Sequence, residues 1–114
     1  MSDLILYPGP VGMLRASHRE IDRSKSMHEQ YPYHPHDREL KVPEGEVVEL
    51  EIGLWAMGIE YEAGEALEVQ VLGGLPTTEA FGPLKDAPKN AGNLGMHKVH
   101  FGGKYPSKVI LPFV

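Results

Sequence analysis

The stretch from Glu46 to Leu54 constrains this chain more than any other. Val48, Leu50, Ile52 and Leu54 fall on one side of an extended backbone, with Glu49 and Glu51 toward the other. This period of two is that of a half-buried β-strand. Val42-Pro43-Glu44-Gly45 before it and Glu62-Ala63-Gly64-Glu65 after it carry turn residues. Leu67, Val69 and Val71 then alternate with Glu68 and Gln70, which predicts a second strand over 66–72 closed by Gly73-Gly74. A third apolar run, 108–114, contains Pro112. Proline brings no N–H to a ladder, so the end of that strand belongs at a sheet edge. Residues 4–7, 13–16 and 97–101 add shorter candidates, for roughly five or six strands in all. Glycine (13) and proline (10) make up about a fifth of the chain without a fixed period, as short strands joined by turns require. The predicted class is all-β.

A helical signal occurs once. Ser17-His18-Arg19-Glu20 matches the Ser-x-x-Glu capping box, so Ser17 is expected to cap one or two turns. Gln30-Tyr31-Pro32-Tyr33-His34-Pro35 reads as an extended connection. Residues 75–95, rich in Pro, Gly, Asn, Thr and Lys, read as a long surface loop.

At 114 residues the chain fits one domain. Its formal charge of −5 removes the cationic surface that phosphate binding needs, so no nucleic-acid partner is expected. Apolar runs such as Ile52–Ile59 are far too short to span a bilayer, and Asp3 stands where a signal peptide wants a basic start. The expectation is a soluble chain with no membrane partner and the cytoplasm as default compartment. Without cysteine there is no disulfide, thiolate nucleophile or sulfur-ligated zinc.

Serine catalysis would need a hydroxyl, an imidazole and a carboxylate in line, and the Gly-x-Ser-x-Gly elbow is missing. Ser17 adjoins His18, but neighbouring side chains on a capped turn diverge. Six histidines are many for this length. His34-Pro35-His36 with Glu39 fits weakly the His-x-His…Glu pattern of metal-binding β-barrels. The competing reading is a polar loop whose histidines bond to backbone. His97 and His100 have odd spacing and so lie on opposite strand faces. Trp55 is expected to anchor the core, and the glutamates of 44–51 to form a solvated face that discourages edge pairing.

Taken together, Gly12-Met13-Leu14-Arg15-Ala16-Ser17-His18-Arg19, Tyr33-His34-Pro35-His36, Leu40–Val71 with its two turns, and His97–Ser107 leading into Val109-Ile110-Leu111-Pro112 resemble one known family. It is the C-terminal region of the X-Pro dipeptidyl-peptidase and cocaine-esterase-like acyl hydrolases. The resemblance covers residues 12–114, with 1–11 as an extension or lone strand. It implies a jelly-roll β-sandwich of the galactose-binding-like type, of which this chain carries the latter part. It also implies a partner, the family's α/β-hydrolase domain, in the same or a neighbouring chain. That domain holds the triad, none of which maps here, so no catalytic residue, metal or cofactor is assigned and the chain is expected to be inactive alone. An incomplete sandwich leaves an edge and an apolar face, so the expectation is that another chain covers them, a homo-oligomer being one form of that, or that the piece is a truncated remnant of a longer gene. Arg15, Ser17, His18 and Arg19 resemble the family's polar corner after a core strand, and His34 and His36 its Pro-His-rich connection. With His100 and Tyr105 they are assigned structural or domain-interface roles. Two other classes compete: a free-standing carbohydrate- or protein-binding sandwich, and a small metal-dependent β-barrel enzyme using His34, His36 and Glu39.

Overall fold

A computed structural model describes residues 9–73 and 96–114. The chain divides into two units, Met1–Ile59 and Glu60–Val114. The expected strand at 4–7 and the expected loop at 75–95 lie outside the described residues.

In the first unit, residues 11–15 lead into a 3-10 turn at Ala16–His18 and a second at Arg23–Lys25. A tight turn pairs His28 with Tyr31, and the chain returns through 32–42 to a turn in which the Glu46 N–H donates to Pro43 O. Three long-range backbone bonds close this unit. The Trp55 N–H donates to Val11 O (3.2 Å), the Leu40 N–H to Ser17 O (2.7 Å) and the Asp22 N–H to Tyr33 O (2.9 Å). Glycine is what permits the first of these approaches. A Cβ at Gly12 would lie 2.4 Å from Gly53 O, and one at Gly53 would lie 2.9 Å from the Tyr31 ring.

In the second unit, the Glu65 N–H donates to Glu62 O, and the Glu65 carboxylate accepts from the Glu62 N–H (2.7 Å). Gly102 pairs with Tyr105 across a turn, and the Ser107 hydroxyl donates to His100 O (2.6 Å).

No β-ladder joins the described residues; the regular elements there are the two 3-10 turns and two isolated bridges. The expected strands at 13–16, 46–54, 66–72, 97–101 and 108–114 therefore run without ladder partners among them. Packing agrees with this. None of the described aliphatic, aromatic or methionine side chains is buried, and Trp55, expected to anchor a core, is 62% exposed. Pro32 is the buried residue among those described. Of the alternating side chains at 46–54, Leu50, Ile52 and Leu54 are exposed along with Glu46 and Glu49, while Val48 and Glu51 are half-buried.

The capping box is corrected. Arg15 occupies the N-cap of the first turn, two residues ahead of the expected Ser17, and makes no capping bond. Ser17 sits inside the turn. Glu20 cannot reach back to complete the box because its carboxylate is held by Arg38. Asp22 instead caps the second turn, accepting from the Ser24 N–H at 3.0 Å.

Candidate functional site

The densest polar construction lies in the first unit, where the 15–25 segment, the 31–40 connection and the 50–55 segment meet. Arg19 Nη1 donates to Ala16 O at 3.0 Å and also to Leu40 O. With the Leu40 N–H on Ser17 O, both backbone groups of Leu40 are tied to the first turn. A guanidinium suits this because it offers several donors in a rigid fork. His34 is the second tie: its Nδ1 lies 2.9 Å from Glu20 O and its Nε2 2.9 Å from Glu51 O. One imidazole thus spans the turn segment and the 50–55 segment.

Ion pairs surround these bonds. Arg38 donates from Nε and Nη2 to the two oxygens of Glu20 at 2.9 and 2.6 Å, a bidentate fork. Bonding to Arg38 holds the Glu20 carboxyl below its usual range, and Glu20 in turn raises the Arg38 guanidinium. Asp22 is likewise held low, chiefly by the Ser24 hydroxyl. Arg23 Nη2 donates to Glu51 Oε1 at 2.5 Å. His18 and His36 meet through their Nδ1 atoms at 3.0 Å, with ring centroids 5.1 Å apart. His36 reaches that position with φ of 56°, a left-handed conformation that histidine adopts more readily than most residues.

The corner therefore brings together Ser17, His18, Arg19, His34 and His36, with Arg15 exposed just before the first turn. Ser17 Oγ is shielded from solvent and has no hydrogen-bond partner among the described residues. His100 and Tyr105 belong to the second unit, where their rings stack at a tilt with centroids 5.0 Å apart. Sequence reasoning missed Asp22, Glu20 with Arg38, and Arg23 with Glu51. The Asp22-Arg23-Ser24 spacing, an Asx-type turn signal, could have revealed the first. The other pairs join residues far apart in sequence and leave no local signal.

Ser17 Oγ apart, the corner is chemically a set of satisfied bonds. An open depression of about 440 Å³ beside it has Glu20, Asp22, Arg23, Ser24 and Asp37 in its walls. The hydroxyl there, Ser24 Oγ, donates to Asp22 at 2.5 Å, and no histidine adjoins it to take its proton. A metal at His34 would have to displace a carbonyl from Nδ1 or Nε2. Among the described residues no group of three or more His, Cys, Asp or Glu side chains is placed to hold one.

The family model of the X-Pro dipeptidyl-peptidase C-terminal non-catalytic domain matches residues 2–110. The chain belongs to that family. The match takes in both turns of the polar corner, the Pro-His connection and the Gly102-Gly103 turn, and it includes nearly all of the opening segment ahead of Gly12. No curated protein and no solved structure matches the chain. For this X-Pro dipeptidyl-peptidase C-terminal domain, ties between side chains and backbone at the corner are thus the best-defined feature. Among its described residues no helix is long and apolar enough to cross a membrane.

Proposed function

We propose that this domain is the accessory β-sandwich, of jelly-roll galactose-binding-like type, of an acyl or peptidyl serine hydrolase of the X-Pro dipeptidyl-peptidase and cocaine-esterase kind. In this reading it braces an α/β-hydrolase domain that carries the serine, histidine and acid, and helps wall the substrate pocket. The observation that carries the reading is the family match over residues 2–110. The exposure of Leu50, Ile52, Leu54 and Trp55 supports it, because apolar side chains at this density gain from being covered by a partner surface. In the same reading Arg15, Ser17, His18, Arg19, His34 and His36 fix the geometry of the corner presented to that partner. His100 and Tyr105 do the same at the Gly102–Tyr105 turn.

The reading is tested by adding the 114-residue chain to the α/β-hydrolase domain of an X-Pro dipeptidyl-peptidase that lacks its own C-terminal domain. The chain alone should neither hydrolyse an X-Pro anilide nor be labelled by a serine-directed phosphonate, whereas the mixture should show a raised melting temperature for the hydrolase domain. Stoichiometric labelling of this chain would overturn the non-catalytic assignment. An unchanged melting temperature, with saturable stabilisation of this chain by a sugar, would replace the bracing role with that of a free-standing binding module.

A further inference from the structure

His34 has an acceptor at each end of its ring. Nδ1 faces Glu20 O and Nε2 faces Glu51 O, both at 2.9 Å. A backbone carbonyl oxygen only accepts, and a neutral imidazole carries a single N–H. One of the two contacts in a neutral ring would set a nitrogen lone pair against an oxygen lone pair. The imidazolium alone donates to both.

We propose that His34 is a proton-operated latch. Its imidazolium form bonds Glu20 O and Glu51 O together and closes the 15–25 segment onto the 50–55 segment, and loss of one ring proton releases one of the two. The surrounding charges are already committed elsewhere. On the turn segment, Arg19 is bonded to carbonyls, the Glu20 carboxylate to Arg38, Asp22 to Ser24 and Arg23 to Glu51. On the connection, Arg38 is paired with Glu20, while His36, whose ring centroid is 6.2 Å from that of His34, is bonded to His18. Asp37 lies in the wall of the neighbouring depression, and from the 46–55 side Glu51 faces Arg23 while Glu49 is exposed. Carboxylates and guanidinium groups ordinarily titrate outside the imidazole range. The His18–His36 contact, between two Nδ1 atoms, needs one of them bare.

Long-range proton–nitrogen spectra of the full chain read the His34 ring directly. At about pH 5.5 both of its nitrogens should carry protons, and the protection of the Asp22 amide against exchange should be about tenfold greater than at about pH 8, the scale of one hydrogen bond. His34→Gln should abolish that ratio and His36→Gln should leave it in place. A His34 ring with one bare nitrogen at about pH 5.5, or a protection ratio untouched by His34→Gln, would overturn the latch. The ring spectrum is taken on the unsubstituted chain, so the test stands even where the variant folds poorly.

Discussion

Ser17 and Asp22 show how two small polar residues exchange the roles their sequence context gives them. Ser17 heads a Ser-x-x-Glu pattern, yet the fork from Arg38 removes Glu20 from that box and leaves Ser17 Oγ shielded and unbonded among the described residues. Ser17→Ala should therefore shift stability by no more than ~0.5 kcal/mol, or raise it, as read from the urea midpoint, because it removes a hydroxyl that has lost water and gained nothing. A true cap would cost about 1 kcal/mol on the same change. Below the imidazole range, acid should loosen the corner. Glu20 and Asp22 ordinarily titrate near 4.5 and 3.8, and both are held lower in the fold. Their contribution is therefore present in full above those ordinary values and is lost as pH falls from there through the lowered ones. Amide shifts of Ser24 and the Arg38 Nε proton, followed downward from about pH 5.5, should hold steady until the medium is more acid than the ordinary carboxylate range. A midpoint above that range would contradict the two pairings.

At the scale of elements, the close approach of residues 11–12 to 53–55 is the junction most open to substitution. Gly12→Ala places a methyl against a backbone oxygen that cannot turn aside, whereas Gly53→Ala meets the edge of the Tyr31 ring, which can. Exchange of the Trp55 amide should consequently accelerate strongly in Gly12→Ala and only mildly in Gly53→Ala; equal effects would mean that the two segments are not joined through Gly12. Local sequence patterns were readable where the cause is local. The Pro43–Gly45 and Glu62–Glu65 turns stand where proline and glycine put them. The 46–54 pattern alternates apolar and acidic positions, but period alone does not say what covers the apolar ones, and among the described residues none of them is buried. The corner was suggested only by the resemblance of Arg15, Ser17, His18 and Arg19 to the family's polar corner. Its bonding was not, because Arg19 with Leu40, His34 with Glu51 and Arg38 with Glu20 are each joined across 17 or more positions.

For the molecule as a whole, two observations bear on the same question. The chain belongs to a family of non-catalytic C-terminal domains. Its apolar side chains, Trp55 among them, stand in solvent to a degree unusual for a folded chain of this composition. The sandwich proposed above, gaining its remaining surface from a hydrolase domain, would account for both, with the free energy of burial supplied at the joint instead of within a separate core. Trp55 is the chain's one tryptophan, so a fluorinated indole reports that joint alone when the partner is unlabelled. On titration with an X-Pro-type α/β-hydrolase domain, the fluorine resonance of Trp55 should move to a new position and lose its sensitivity to solvent isotope at a one-to-one ratio. A resonance that stays solvent-exposed at saturating hydrolase domain would contradict the account.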